Sequence, residues 1–150
     1  MDPADHHSGY VVNVNAAVVR DGEYLLVERG ADESHASGVL AFPGGKVESA
    51  PGSDDPIEAT AAREVREEVG LEVRDVTYVC SRAFESDRGT PCLNVVTRCA
   101  YASGTAHRAA PAEVAAVEWR SLAEIRRDPA VPGYLVEYLD RVEASREVSA

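Results

Sequence analysis

Hydrophobic and polar residues alternate along the first strongly patterned segment of the chain. Between Val11 and Val19, every second residue from Val12 onward is apolar, and two of the positions between them are asparagines. A period of two is typical of a strand with one buried face and one face in solvent. The side chains predicted to be buried are Val12, Val14, Ala16 and Val18, and those predicted to be exposed are Asn13 and Asn15.

Turn residues divide the other apolar segments into further strands. A second strand is predicted at residues 24–27, and Asp21-Gly22 predicts a tight hairpin before it, because glycine adopts a positive φ without steric cost. After a polar loop at 30–38, residues 39–42 predict a short strand that ends at Pro43-Gly44-Gly45. The other predicted strands cover residues 71–78, 93–101 and 114–119, with a loop at 83–91.

The clearest start of a helix lies at Asp54-Asp55-Pro56. Aspartate is a favoured cap, proline suits the first helical position, and Glu58 adds negative charge to the first turn. The helix is expected to run to about Val69 and to end at Gly70. A short helix from a Ser121 cap to Arg127 and a closing helix at 134–142 follow. This mixture predicts an α+β fold or a mixed β-sheet flanked by helices.

Length and charge limit the kinds of partner. The chain has 150 residues, 45% of them hydrophobic, which fits one domain over residues 1–150 with flexible tails at 1–9 and 144–150. Its 26 acidic and 15 basic residues give a net charge of −11, and such a surface repels polymeric nucleic acid. An acidic protein that binds an anionic substrate needs a cation between the two, and a divalent metal is the expected one.

The cysteines and the N-terminus indicate the cellular compartment of the protein. Three cysteines, at positions 80, 92 and 99, lack a Cys-x-x-Cys spacing, so we expect buried thiols rather than a disulfide framework or a zinc site. The first residues contain no secretory signal, which favours a cytoplasmic location. No stretch reaches the roughly 18 consecutive apolar residues of a membrane-spanning helix, so no membrane partner is expected. The sequence leaves a homodimer open.

The helix predicted after Pro56 carries acidic residues on its apolar side. At about 100° per residue, Glu64 and Glu68 fall within or beside the apolar face, while Glu67 lies further round. Carboxylates at a buried edge repel one another and lose hydration. Both effects raise the free energy of the folded state unless a cation compensates. Three oxygen donors at spacings of three and four residues suit Mg²⁺ or Mn²⁺. The apolar face itself consists of Ala61, Val65 and Val69.

A second interpretation of this helix needs no metal. Arg63 and Glu67 are four residues apart, and ion pairs at that spacing are common on an ordinary solvated helix. That interpretation explains the arginines but leaves the inward-facing Glu64 and Glu68 without partners. Helix spacing alone leaves both interpretations open.

Two segments together resemble the signature of the Nudix hydrolase family. Gly45-Lys46-Val47-Glu48 and the run from Ala61 to Leu71 are similar to G-x5-E-x7-R-E-U-x-E-E-x-G-U, in which U is a bulky aliphatic residue. The part from Arg63 onward matches at every specified position. The first half departs from the pattern, because Gly45 lies 18 residues before Arg63 instead of 14. This difference indicates a four-residue insertion around residues 49–54 and leaves Asp55 as the candidate for the mid-signature carboxylate.

The resemblance implies a fold and an activity. The implied fold is an α/β/α sandwich, a mixed β-sheet between helices with a loop-helix-loop metal site. The implied reaction is hydrolysis, by water attack at phosphorus, of the pyrophosphate bond in a nucleoside diphosphate linked to another moiety, with Mg²⁺ or Mn²⁺ as cofactor. Nucleoside triphosphates, nucleotide sugars, ADP-ribose and dinucleotides all remain open as the small-molecule substrate. A catalytically inactive nucleotide-sensing module of the same fold is the alternative.

Position in the signature also implies roles for individual residues. Glu64, Glu67 and Glu68 are the implied metal ligands, and the backbone carbonyl of Gly45 is a further one. Glu67, Glu68 and Arg63 are the implied catalytic residues of the signature, with Arg63 orienting the carboxylates through charge-assisted hydrogen bonds.

Five further charged residues that are candidates for the site lie outside this helix. The signature does not fix the general base, for which Glu113 is the first candidate and Glu85, in the predicted 83–91 loop, is the second. Arg29, Lys46 and Glu48 are the candidate substrate-binding residues. Ordinary surface charge, or for Glu48 an outer metal ligand, is the alternative for these three positions.

Overall fold

The computed structural model describes residues 9–30, 38–48 and 51–149 of the chain. The polar loop predicted at 30–38 and the insertion predicted at 49–54 therefore lie partly outside the described residues. Positions 1–8 of the predicted N-terminal tail lie outside them entirely. The elements in chain order are β1 (Val11–Arg20), β2 (Glu23–Arg29), β3 (Leu40–Ala41), β4 (Gly44–Lys46), α1 (Pro56–Val69), β5 (Glu72–Glu85), β6 (Pro91–Ser103), β7 (Val114–Ser121), α2 (Leu122–Arg127) and α3 (Gly133–Ser149).

The strands form one mixed sheet in which β1 is central. The order along the sheet is β3-β2-β1-β6-β5, with β4 paired to β1 and β7 paired to β2. The β1–β6 pairing is parallel, and the other pairings are antiparallel. The predicted hairpin between β1 and β2 is confirmed, because Asp21 and Gly22 have φ of 50° and 80° and the flanking residues Arg20 and Glu23 are paired.

Helices cover both faces of this sheet, which confirms the expected sandwich. Helix α1 packs on one face, where Val14, Ala16 and Val18 of β1 meet Ala61 and Val65. Helices α2 and α3 pack on the opposite face against Ala17 of β1, with Ile125, Leu135, Leu139 and Val142 as the helical core residues. None of the helices in the described part of the chain is long and apolar enough to span a membrane.

The covering of both faces corrects the prediction for β1. A strand with a solvent face was expected, but Ala17 is fully buried, and Asn13 and Asn15 are half-buried rather than exposed. The alternation of side chains is present as predicted. Alternation alone cannot tell whether a second layer covers the polar face, so the second helical layer was not predictable from this segment.

Other element boundaries also differ from the sequence prediction. Gly44 and Gly45, expected to end a strand, instead begin β4, which pairs with β1. Strands β5 and β6 are longer than predicted, so that residues 83–85 belong to β5 and the connecting loop shrinks to 86–90. Helix α3 continues through Ser149 rather than ending at 142, and residues 144–149 of the predicted tail are helical. The three cysteines are buried and free, as expected.

The ends of α1 follow the sequence signals only in part. Gly70 ends the helix in the left-handed conformation with φ of 73°, and its N–H bonds to the Arg66 carbonyl. At the other end Asp55 is also left-handed, with φ of 49°, and its side chain makes no cap hydrogen bond. Pro56 and Glu58 are in the first turn as predicted, but the expected aspartate side-chain cap is not formed by Asp55.

Candidate active site

Helix α1 holds a carboxylate at the margin of the core. Ala61, Val65 and Val69 are fully buried against the sheet, as the helical pattern predicts. Glu68 precedes Val69 and is only 7% exposed, so its carboxylate is carried inward with the apolar face. A carboxylate in this position loses most of its hydration, which raises its free energy unless donors or cations replace the water.

Strand β4 supplies the donor that faces Glu68. The backbone N–H of Gly44 donates to Glu68 Oε2 at 3.2 Å. Burial nevertheless raises the pKa of Glu68 to about 8, and the negative charges of Glu64 and Glu113 add to the rise. The Gly44 N–H and the positive charge of Arg29 act in the opposite direction but do not offset the burial. The site therefore contains more carboxylate than it can stabilise by itself.

Glu64 lies one turn before Glu68 and approaches the backbone of β4. A Cβ placed on Gly45 would lie 2.5 Å from Cδ of Glu64, so glycine leaves room for the carboxylate in this position. Burial raises the pKa of Glu64, while the adjacent Arg63 guanidinium opposes the rise. Close approach explains glycine at both positions, because a Cβ on Gly44 would lie 2.2 Å from the backbone carbonyl oxygen of Val14, and one on Gly45 would meet Glu64.

Arg63 joins the outer acids of the site. Its Nη2 donates to Glu64 Oε1 at 3.1 Å and to the Lys46 carbonyl at 3.2 Å. The same guanidinium lies 3.5 Å from Glu48 and 3.9 Å from Glu67. The 3.9 Å separation is longer than a hydrogen bond, and the buried Nε of Arg63 has no hydrogen-bond partner among the described residues.

These contacts bear on the interpretation of α1 as a plain ion-paired helix. The predicted Arg63–Glu67 ion pair does form, and Glu67 itself is 59% exposed. Arg63 also reaches Glu64, which the spacing argument had left without a partner. Within the part of the chain that the structure describes, Arg63 and Arg66 pair with other acids, whereas Glu68 accepts a hydrogen bond from the backbone of β4. Ion pairing along α1 thus accounts for the outer acids but not for the buried one.

Glu113 reaches the same carboxylates from a loop. It directly precedes β7, and its negative charge raises the pKa of both Glu64 and Glu68. Its carbonyl accepts a hydrogen bond from the Gly30 N–H at 2.8 Å, which ties the loop to the end of β2. Glu85, the second candidate, lies at the end of β5 beside the 86–90 turn.

Residues 107–109, which precede Glu113, contact the end of α1, and this contact was not predicted from the sequence. The N–H groups of His107 and Ala109 donate to the Val69 and Glu68 carbonyls at 3.1 and 3.0 Å. The segment therefore caps the C-terminal turn of α1 and at the same time carries Glu113 toward it. Residues 104–110 contain no motif that predicts this contact, because backbone N–H groups of almost any residue type can form it.

The remaining candidates occupy the rim of the site. Arg29 ends β2, and its positive charge lowers the pKa of Glu68. Lys46 is an exposed residue of β4 whose carbonyl is held by Arg63, and Glu48 is exposed beside the same arginine. Asp55 is exposed at the start of α1. The structure thus places Arg29, Lys46 and Glu48 around the glutamates, while their roles toward a substrate stay predictions.

The donor chemistry of the site suits a hard divalent cation. Glu64 and Glu68 offer oxygen ligands, and burial of these carboxylates raises the pKa of each. Within residues 9–30, 38–48 and 51–149, no three histidine, cysteine, aspartate or glutamate side chains are close enough together to hold an ion. Glu67 would have to leave Arg63 and rotate toward Glu64 and Glu68, and its exposure leaves room for that rotation.

Comparison with known proteins agrees with this geometry. A family model described as the NUDIX domain matches residues 9–140. The CTP pyrophosphohydrolase of Escherichia coli (strain K12) is 40% identical over 76 residues, which are 50% of this chain and 53% of that protein. The matched part therefore spans about half the length of this relative.

Two solved structures share the fold over most of the chain. The crystal structure of a MutT NUDIX hydrolase from Burkholderia pseudomallei has a TM-score of 0.74 and 26% identity, and covers 89% of this chain and 98% of that chain. The solution structure of the E. coli ORF135 protein has a TM-score of 0.69 and 30% identity, and covers 91% of each chain. The likeness thus includes the sheet and the layers on both of its faces.

Proposed function

The chain belongs to the Nudix family, and from that premise we propose that it is a metal-dependent pyrophosphohydrolase. Its substrate is a nucleoside diphosphate linked to another moiety, and water attacks at phosphorus to cleave the pyrophosphate bond. The observation that carries this proposal is Glu68, a carboxylate only 7% exposed and held beside Glu64 and Glu113. A surplus of buried negative charge is the environment that a divalent cation stabilises.

Glu64, Glu67 and Glu68 would hold the cation, with the Gly45 carbonyl as an additional ligand. When bound, Mg²⁺ or Mn²⁺ would neutralise substrate phosphates and lower the pKa of the attacking water. Two features of the site support this assignment: the carboxylates of Glu64 and Glu68 face the short β4 strand, and glycine there leaves space beside the backbone. Oxygen donors of this type are the ligands that both cations prefer.

Side chains around the glutamates would perform the other parts of the reaction. Arg63 orients Glu64 and restrains Glu48, so that the outer acids keep their geometry. Glu113 accepts the proton of the attacking water, since it is the loop carboxylate whose charge reaches the site. Arg29 and Lys46 attract the phosphates of the substrate, which an acidic protein would otherwise repel.

Among the substrate classes, nucleoside triphosphates are the first to test. The relative from E. coli is named a CTP pyrophosphohydrolase, and its matched segment is 40% identical to this chain. We therefore propose CTP as the first substrate, within a panel that also contains ADP-ribose, a nucleotide sugar and a dinucleotide. A cytoplasmic location, expected from the sequence, belongs to the same proposal.

The experiment is a hydrolysis assay with the full chain. The protein is incubated with each compound in EDTA, and then with Mg²⁺ or Mn²⁺ in excess, while the release of nucleoside monophosphate is followed. We expect turnover only when a divalent cation is present. Binding of a nucleotide without turnover under all conditions would support the alternative of a nucleotide-sensing module, and would contradict the proposed activity.

A further inference from the structure

The side chain of Arg108 hydrogen-bonds to the backbone on both sides of Glu113. Nε of Arg108 donates to the Val114 carbonyl at 2.9 Å, and Nη2 donates to the Pro111 carbonyl at 3.3 Å. Val114 directly follows Glu113, and Pro111 comes two residues before it. Because a guanidinium is planar and its N–H groups point in fixed directions, two such bonds restrain the carbonyls relative to each other. Arg108 therefore restrains the segment that carries Glu113.

Backbone hydrogen bonds hold the same segment at its other side. The N–H groups of Glu113 and Val114 both donate to the Ala110 carbonyl, at 2.9 Å each, and the Glu113 carbonyl accepts from the Gly30 N–H at 2.8 Å. A Cβ on Gly30 would lie 2.6 Å from the carbonyl oxygen of Ala112, so the two backbones are in direct contact. The main chain of Glu113 is thus fixed against the residue that follows β2.

Arg108 itself lies where the segment contacts α1. Both of its neighbours in the chain donate backbone N–H groups to carbonyls of the last turn of α1, at 3.1 and 3.0 Å. The second of these carbonyls belongs to Glu68. The backbone of Arg108 is therefore fixed relative to Glu68, and its guanidinium connects that point with the backbone around Glu113. The whole connection consists of observed hydrogen bonds.

Burial contributes little to holding this segment. Residues 107–113 are exposed except for Ala110, which is half-buried, whereas Val114 at the start of β7 is only 1% exposed. A surface segment with few apolar contacts opens locally at a small cost in free energy, so its hydrogen bonds decide how well it is positioned. Since Arg108 is exposed as well, its removal leaves no cavity in the core.

We propose that Arg108 is a positioning residue for the reaction, and that its guanidinium holds the 107–113 segment so that the Glu113 carboxylate stays beside the glutamates of α1. This inference rests on the proposed function, in which Glu113 accepts the proton of the attacking water. The hydrogen bonds of Arg108 go to backbone carbonyls, so this role requires no contact with the substrate. A direct role of its positive charge in attracting phosphates is the competing explanation, and it predicts an effect on KM.

The first test compares variants of Arg108 with the nucleotide that the wild-type protein cleaves best, in saturating Mg²⁺. We expect Arg108→Ala to lower kcat about tenfold or more and to change KM by no more than about twofold, because a displaced base slows the chemical step. Arg108→Lys keeps the charge but not the planar pair of donors, so it should recover only part of kcat.

Arg126→Ala is the matched control. Arg126 is also an exposed arginine, and its Nη2 donates to Asp140 Oδ1 at 2.6 Å. This ion pair joins α2 to α3 on the face of the sheet opposite α1. Its loss should leave kcat at the wild-type value.

A double variant tests whether Arg108 acts through Glu113. In a Glu113→Gln background the proposed base is absent, so nothing remains for Arg108 to position. Adding Arg108→Ala should then change kcat by no more than about twofold, whereas two independent effects would multiply. A general structural role of Arg108 would give the multiplied result.

Hydrogen–deuterium exchange of the metal-free protein in EDTA provides a measurement that needs neither cation nor substrate. The amides of Gly30, Glu113 and Val114 should exchange about tenfold faster in Arg108→Ala than in the wild type, while those of α3 should be unchanged. Unchanged exchange at these three amides would show that Arg108 does not hold the segment, and would overturn the proposal.

The outcomes separate this proposal from the proposed function. Absence of turnover by the wild type with either cation would contradict the proposed function, and wild-type kcat in Glu113→Gln would contradict its assignment of the base. If Glu113→Gln is impaired and Arg108→Ala is not, only the role of Arg108 is wrong. Full recovery of kcat in Arg108→Lys, or a multiplied loss in the double variant, would overturn that role as well. Should Arg108→Ala fail to fold, Arg108→Lys decides by the same criterion.

Discussion

The backbone N–H of Gly44 donates a hydrogen bond to Oε2 of Glu68, at 3.2 Å. This contact joins the three-residue strand β4 to the last turn of α1, across 24 positions of the sequence. It provides one donor to a carboxylate that has almost no access to water. Because one backbone donor does not offset burial, the pKa of Glu68 remains raised, and this imbalance is the basis of the first two predictions.

Glu68→Gln should abolish most of the activity without unfolding the protein. Glutamine keeps the size of the side chain but removes the negative charge that a cation needs, so we expect turnover with Mg²⁺ to fall by about a hundredfold or more. The thermal midpoint should not decrease. Glu58→Gln, in the first turn of the same helix, is the matched control and should retain wild-type turnover. Near-normal activity of Glu68→Gln would remove Glu68 from the proposed metal site.

The stability of the metal-free protein should decrease as the pH rises. The pKa of Glu68 is raised from 4.5 to about 8, so between these values the native state holds a proton that the unfolded chain releases. The contribution of Glu68 to the free energy of unfolding therefore falls across this range. Urea unfolding in EDTA at pH 5, 6.5 and 8 measures the slope, which should be shallower in Glu68→Gln. Equal slopes in the two proteins would contradict the raised pKa.

Gly45→Ala should impair activity much more than stability. The added Cβ would lie 2.5 Å from the carboxyl carbon of Glu64, and the flexible end of that side chain can move away. The fold is thus expected to persist while the ligand is displaced, with a loss of about a hundredfold in kcat/KM. Gly9→Ala is the control, because a Cβ there meets no atom within 4 Å. A fully active Gly45→Ala would show that Glu64 need not approach β4 during the reaction.

Glu113→Gln should lower kcat. A general base typically contributes about 10²- to 10⁴-fold, and this variant should lose turnover of that order. Glu85→Gln is the control, since Glu85 lies at the end of β5 beside the 86–90 turn. Measurements of kcat for both variants in saturating Mg²⁺ distinguish the two. If Glu85→Gln shows the greater loss, the base lies at the β5–β6 turn instead.

The C-terminal half of the fold offers a stability test that is independent of the site. Ser121 accepts a hydrogen bond from the Glu124 N–H, and Glu124 bonds back to the Ser121 N–H, which completes a capping box at α2. Ser121→Ala should lower the free energy of unfolding by about 1 kcal/mol. Chemical denaturation measures this loss, and activity should remain unchanged. A substantially larger loss of stability would indicate a role of Ser121 beyond the cap.

Local patterns predicted several elements because the forces involved act between near neighbours. The apolar spacing of Ala61, Val65 and Val69 identified the buried face of α1, and the same wheel placed Glu68 inside it. Gly70 and Asp21-Gly22 were recognised because a positive φ favours few residue types. The Nudix signature was recognised for the related reason that its residues are concentrated in one helix and the short segment before it.

Contacts between distant segments were not predictable in the same way. Gly44-Gly45 looked like the end of a strand, but pairing with β1 makes it a strand and turns its N–H toward Glu68. Asn15 looked like a solvent-facing residue, but α3 covers its face and leaves its amide buried. The α1 cap formed by His107 and Ala109 uses backbone donors, which no side-chain motif reveals.

The sequence by itself determined the helix that carries the acids, the turns around it and its resemblance to a family, since helix periodicity and turn chemistry depend on residues close in the chain. Only the tertiary structure decided which acids are buried against which backbone and which loop acid reaches them. It also decided which amide lacks a partner. These properties depend on the water that is lost when segments distant in the chain pack together. The order of residues in one segment does not show which other segment will cover it.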